Sequence, residues 1–219
     1  SCLLIFANAT DFTYPTDKIT TIQNMMFNNT NNVSDAMQNA SYGHYNLTLG
    51  ASITVDLAVN ATGADWNTIQ NAMIDAAVAA GKDPADYDRT LVFEPNGTLM
   101  SGGSWTAQGY YPTTGRTTWS YGWSGTYFDA FIHEMGHNFG FRHTGNGTVQ
   151  YGDSTSVMGY SYSSTAAPGY TSTYAGHHKL AIGWLDDFPG SYASITGDAT
   201  YDIYPESETP ETTPGMRLV

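Results

Sequence analysis

Charge is scarce in this chain. Of its 219 residues only 12% are Asp, Glu, Lys or Arg, and just seven Lys or Arg stand against twenty acids. The formal charge of −13 repels phosphate backbones, so nucleic acid is excluded as a partner, and an anionic membrane surface is disfavoured for the same reason. Cysteine is rarer still. Cys2 stands alone, so the chain makes no internal disulfide and cannot build a thiolate cage for a structural metal; it reads as a free buried thiol or the partner of a cysteine elsewhere. No apolar run approaches the ~18 residues that span a bilayer, so no membrane insertion is expected. The apolar opening Cys2–Ala7 is too short for a signal-peptide core and lacks a preceding cation. It reads as a buried first strand, in a chain that begins after whatever targeting or pro-segment preceded it.

What is present supports a folded domain. The chain is 41% hydrophobic and 14% aromatic, enough material for a core. Asparagine supplies the evidence on compartment. Asn-X-Ser/Thr sequons fall at Asn8, Asn28, Asn32, Asn39, Asn46, Asn60, Asn96 and Asn146, none with Pro in the middle. With fourteen Asn and about a fifth of residues Ser or Thr, chance yields roughly three. Eight point to a secreted glycoprotein with glycans at these asparagines.

Residues 3–7 read as a strand. The span from Asp17 to Asn39 has helical spacing of apolar residues, broken near Asn28–Asn32, and Tyr45–Val59 alternates as a strand does. A helix capped by Asp65 should bury Trp66, Ile69, Met73, Ala76 and Ala80 and stop at Gly81. Thr90–Phe93 and Arg116–Tyr121 read as strands with a Gly/Ser/Tyr-rich loop, 96–115, between them. A third helix should run from Thr126 to Phe139 and a fourth near Tyr174–Gly183, and the Pro- and Glu-rich segment from Pro205 reads as a linker or domain edge. Alternating strands and helices in the first 140 residues imply an α/β layer, followed by an irregular lobe.

Residues 133–143 read His-Glu-Met-Gly-His-Asn-Phe-Gly-Phe-Arg-His, which fits the metzincin zinc-protease pattern H-E-x-x-H-x-x-G-x-x-H. On a helix, His133 and His137 lie one turn apart on one face, so both imidazoles reach one ion. Glu134, one step round, leans toward the open coordination position without binding. Gly140 can adopt positive φ, ending the helix and turning the chain so that His143 returns as third ligand. Three nitrogens with an open fourth position suit a catalytic zinc ion, one per chain. The five fixed positions coincide by chance about once in ~10⁵ such chains, and Glu134 is the only Glu between Glu94 and Glu206. Fifteen residues beyond His143, Met158 in Ser156-Val157-Met158-Gly159-Tyr160 has the place of the methionine turn beneath such sites, an apolar floor that does not ligate. Tyr160 either aims its hydroxyl at the metal or a developing oxyanion, or packs as an aromatic.

The chain resembles the metzincin zinc endopeptidases, and most the gametolysin family. The resemblance rests on the histidine motif, on Tyr151-Gly152-Asp153-Ser154-Thr155-Ser156-Val157-Met158-Gly159, and on Ala175-Gly176-His177-His178-Lys179-Leu180-Ala181-Ile182-Gly183-Trp184-Leu185. After the third histidine stands Thr144, not the Glu of astacins, the Asp of adamalysins, the Ser of many matrixins or the Pro of serralysins. Tyr160 matches the switchable tyrosine ligand of astacins and serralysins. The resemblance implies a metzincin-like α/β catalytic domain over 1–188: a twisted mixed sheet with two packing helices and the zinc helix to about 143, then a Met-turn lobe over about 144–188. Residues 189–219 would be a tail, a linker or the start of a β-rich domain. It also implies protein or peptide substrates among matrix or cell-wall glycoproteins.

The remaining candidates read more plainly. His177 and His178 on the late helix are packing or solvent residues, and His44 is a turn or strand residue. Asp186-Asp187 and Asp83/Asp86/Asp88 lack the ordered oxygen spacing of a calcium loop, so calcium has no support beyond their charge. The reaction expected is peptide hydrolysis by zinc-activated water with Glu134 as base. The alternatives are a structural glycoprotein of a matrix or surface appendage that retains a protease fold, and a binding module in which zinc is only structural. The intact Glu134 favours the enzyme.

Overall fold

The computed structural model describes residues 1–95, 107–110, 116–120 (as backbone), 128–159, 173–198 and 200–203. Tyr160, Asn96 and the tail from 204 lie outside the described residues, as do the flanks of the 96–115 loop.

Strand β1 (Cys2–Asn8) is buried from residue 2 through 7, as a continuous apolar run in a central parallel strand should be. β2 (Leu49–Asp56) and β3 (Arg89–Glu94) pair with it in parallel on either side. β5 (Arg116–Ser120) runs parallel to β3, and β4 (Ala107–Gly109) closes the edge antiparallel to β5, giving the order β2-β1-β3-β5-β4. The sheet is therefore mixed, as expected. The three-residue β4 falls inside what composition reads as a loop.

Alternation along β1 divides the core in two. Leu3, Ile5 and Ala7 meet helix α3 (Trp66–Ala79), whereas Cys2, Leu4 and Phe6 face α1 (Thr16–Gln23), α2 (Val33–Ala40) and α4 (Phe128–Asn138). The predicted break near Asn28–Asn32 is real: α1 runs into a π-helical turn at Asn24–Asn28, and Asn32 starts α2 by accepting from Asp35 N–H. Asp65 caps α3 by accepting from Asn67 and Thr68 N–H, worth about 1 kcal/mol. The face of α3 differs from the expected one. Ile69, Gln70, Met73 and Ala77 are buried, Trp66 and Ala76 are only partly so, and Ala80 is exposed. Alanine fills four of the five positions 76–80, so periodicity there does not single out one stripe.

Phe6 stacks on Phe93 at 4.6 Å, and Phe93 meets Phe131 of α4 at 6.4 Å, which locks the motif helix onto the sheet. Among the described residues beyond α4, little structure is regular apart from the short helix α5 (Gly176–Ala181). An aromatic cluster substitutes for it: Phe141 lies 4.9 Å from Tyr174 and 5.8 Å from Trp184, and Phe139 lies 5.4 Å from Trp184.

Candidate active site

Helix α4 carries His133, Glu134 and His137. It ends in a Schellman turn, in which Phe141 N–H donates to Gly136 O and Gly140 N–H to His137 O, both at 3.0 Å. That turn needs a residue at positive φ, and Gly140 supplies it at +92°. The reversal has two consequences. It presents Phe141 O to His137 Nδ1 at 2.8 Å, and it returns His143 to its partners. One ring nitrogen from each of His133, His137 and His143 comes within 4.8 Å of the other two, so the three could hold one ion.

The donor chemistry fits a zinc ion. His133 Nδ1 lies 2.7 Å from Val157 O and His137 Nδ1 2.8 Å from Phe141 O, so each ring keeps its proton on Nδ1 and leaves the Nε2 lone pair for a metal. His137 Nε2 and His143 Nε2 stand 3.1 Å apart, close to the ~3.3 Å of two nitrogens at tetrahedral angles on one zinc ion. Burial holds His133 down to about 4, against the lift from Val157 O, and lowers His137 and His143 as well. All three are then neutral near pH 7, the form that binds metal.

Glu134 sits between helix and edge strand, where its carboxylate accepts from Gly109 N–H of β4. Burial pushes its carboxyl up to about 7, with the Gly109 N–H opposing. A carboxyl with that affinity can both take and release a proton near neutrality. The approach of β4 is possible only because residue 109 is glycine. A Cβ there would meet Glu134 O and lie 2.9 Å from His137 Cβ. Tyr110 secures the same strand end: its hydroxyl donates to Gln70 Oε1 (2.9 Å), Gln70 Nε2 donates to buried Glu94 (3.0 Å), and Asn138 Nδ2 donates to Tyr110 O (3.0 Å).

Beneath α4 lies Met158, wholly buried, against Gly136, where a Cβ would run into its sulfur. Its turn is fastened on both sides. Thr144 N–H donates to Met158 O at 2.9 Å, and Val157 N–H to Thr173 O at 2.9 Å. The Val157 carbonyl that orients His133 thus belongs to the turn that carries Met158.

A family model described as gametolysin peptidase M11 matches residues 4–203. The chain belongs to the gametolysin peptidase family. It is a zinc metallopeptidase, and the cluster of three histidines at and beyond the end of α4 fits zinc binding. No curated protein matches the chain. Among solved structures, archaemetzincin from Methanopyrus kandleri is similar, with 16% identity, a TM-score of 0.43, and coverage of 83% of this chain and 93% of that one.

The other candidate residues of this gametolysin peptidase separate cleanly. Among the described residues only the three histidines are close enough to share an ion; the aspartates at 83, 86 and 88 and at 186 and 187 form no such group. Asp83 instead caps a short turn through Ala85 N–H at 2.9 Å. His178 packs, stacked on Phe141 at 4.6 Å, and His44 lies 3.9 Å from Asp187. Asn28, Asn39, Asn46, Asn60 and Asn146 are exposed. Asn8 is half-buried and accepts from Tyr14 N–H while donating to Asp56 (2.7 Å). Asn32 is buried, with its amide nitrogen donating to Phe27 O and Asn29 O, so a glycan there would break the α2 cap. Sequence reasoning missed Gly109, the carbonyls of Val157 and Phe141, and the residues that touch His143 from the following loop. The carbonyls give no signal because main-chain groups have no residue identity, Gly109 is one of five glycines in 96–115, and Gln150 and Tyr151 could be suspected only from their closeness in sequence to His143.

Proposed function

We propose that the chain is a secreted endopeptidase in which His133, His137 and His143 hold one zinc ion and Glu134 is the general base. The observation that carries this reading is the convergence of three histidine nitrogens beside a carboxylate fixed by the edge strand. A zinc ion bound there supplies Lewis-acid polarisation of the scissile carbonyl and lowers the pKa of water toward neutrality. Glu134 takes the proton of the attacking water and carries it to the departing amine, a transfer its raised carboxyl pKa suits. Met158 serves as the apolar floor of the Met-turn under the histidines, and the catalytic unit is read as residues 1–188.

Substrate approach follows from the sheet. β4 is the edge strand, and its outer side pairs with no strand among the described residues. An extended peptide can add there by main-chain hydrogen bonds, which places its backbone beside Glu134. Extracellular glycoproteins are the substrate class the family suggests. Exposed sequons, together with no helix among the described residues long and apolar enough to cross a membrane, accord with a secreted enzyme.

Glu134→Gln tests the assignment. The variant should hold one zinc ion and retain its fold, yet cleave a generic peptide at least about 100-fold more slowly. Cleavage near the wild-type rate would show that another group is the base. Zinc-loaded wild type without activity, after removal of any pro-segment, would favour the structural glycoprotein.

A further inference from the structure

The three histidines are not held alike. His133 and His137 project from a helix, and their Nδ1 atoms meet main-chain carbonyls that cannot rotate away. His143 lies beyond the helix, is more exposed than His133, and its Nδ1 meets only a side chain, the Gln150 amide at 2.8 Å. The loop that brings Gln150 there is closed at both ends. Asn146 and Val149 form a bridge that turns the chain back, and Asp153 N–H donates to Thr144 O. The next residue, Tyr151, lays its ring 4.0 Å from the His143 ring at a 38° tilt and 6.2 Å from that of His133.

We propose that Gln150 is the positioning residue of His143, setting its tautomer and ring plane for zinc while the Tyr151 ring limits its rotation. This rests on the reading of His143 as the third ligand. A neutral imidazole has one N–H, so ligation through Nε2 requires the proton on Nδ1 and an acceptor facing it. In the present arrangement the Gln150 amide nitrogen faces Nδ1, which accepts. A half-turn of the amide brings Oε1 into that place instead, where it would accept the Nδ1 proton and leave the Nε2 lone pair for a zinc ion. Glutamine alone among uncharged side chains of this length offers both a donor and an acceptor at its tip.

The experiment is competition between the full chain and a chromophoric chelator for Zn²⁺, on wild type, Gln150→Leu, Gln150→Glu and His143→Ala. Gln150→Leu, which removes the acceptor, should weaken zinc binding about 10–100-fold. Gln150→Glu, which only accepts, should bind at least as tightly as wild type. Because Gln150 is exposed, melting of the zinc-free protein should be the same in both variants. Wild-type affinity in Gln150→Leu, or equal weakening in Leu and Glu variants, would overturn the proposal. If His143→Ala binds zinc as tightly as wild type, the three-histidine reading itself fails; if it loses zinc while Gln150→Leu does not, only the role of Gln150 fails.

Discussion

Replacing Gly109 by alanine should damage catalysis without emptying the metal site. The added methyl has nowhere to go: it would collide with the main-chain oxygen of Glu134 and come 2.9 Å from both Glu134 C and His137 Cβ. Those atoms belong to α4, which is packed on Phe93 and the sheet, so the three-residue strand β4 must give way instead. Restoring ordinary contact takes a shift of roughly 1 Å, and a misplacement of that size at a reacting centre costs on the order of 100-fold. An independent route gives a similar figure. The Gly109 N–H to Glu134 carboxylate bond, charged on one side, is worth ~1.5–3 kcal/mol, and each ~1.4 kcal/mol is tenfold in rate. A fall in kcat/KM of about 100-fold is therefore expected for Gly109→Ala. Overpacking should also lower stability by ~1–3 kcal/mol, so rates must be measured well below the melting transition. The assay is steady-state cleavage of a generic fluorogenic peptide, with zinc measured on the same preparation. Zinc should stay at one per chain, because no histidine partner involves Gly109. Near wild-type kcat/KM in a folded, zinc-loaded variant would refute the claim that the strand's close approach holds the base.

Three further outcomes follow from the same contacts. Gly136→Ala should destabilise the protein by ~1–3 kcal/mol, since its Cβ would press on Met158 and come 2.9 Å from Tyr174; adding Met158→Ala should cost less than the two single changes summed, and strict additivity in denaturant melts would deny the contact. Peptide mapping of protein from its native source should find glycan on exposed sites such as Asn39, Asn46 and Asn146 and none on Asn32, where a glycan would contradict the buried cap. In the zinc-free Glu134→Gln protein, which lacks the carboxyl whose raised affinity opposes the trend, acid should weaken the fold: burial holds His133 and His178 at about 4 against 6.5 when unfolded, so between these values the unfolded chain binds more protons and stability falls as pH drops. The loss from His133 approaches ~3 kcal/mol and His178 adds to it; urea midpoints of this variant that stay level from pH 6.5 to 4 would show that neither imidazole is held neutral.

Parts of this architecture could be read before any coordinates because the residues themselves carry the geometry. Cys2–Ala7 is apolar at every position, which suits a strand covered on both faces, and that is where β1 lies. The i, i+4 spacing of His133 and His137 is a distance along a helix, and Gly140 marks where that helix must turn. The edge strand was illegible for an equally physical reason. Over the three residues Ala107–Gly109 no alternation can be counted, and the strand exists because β5 pairs with it and α4 tolerates its approach. The face of α3 was misread because Gln70 counts as polar in a pattern, whereas in the fold its amide is satisfied by Glu94 and Tyr110 and so can be buried.

The same distinction explains what a motif specifies and what it leaves to the fold. The motif determines which atoms can bind a metal, but an imidazole ligates only in the right tautomer, and that is decided by its other nitrogen. For His133 and His137 the deciding partners are the carbonyls of Val157 and Phe141, which any residue would provide. What matters at those positions is where the backbone runs, and the backbone is placed by the Schellman turn at Gly140 and by the bonds from Thr144 and Val157 that fasten the Met158 turn. Burial of Met158 against Gly136 then does more than fill space. It sets the height of the turn beneath α4, and with it the 2.7 Å contact that orients His133. A change that lifts Met158 should therefore be felt at the first histidine before the second, because His137 takes its orientation from α4's own C-terminal turn.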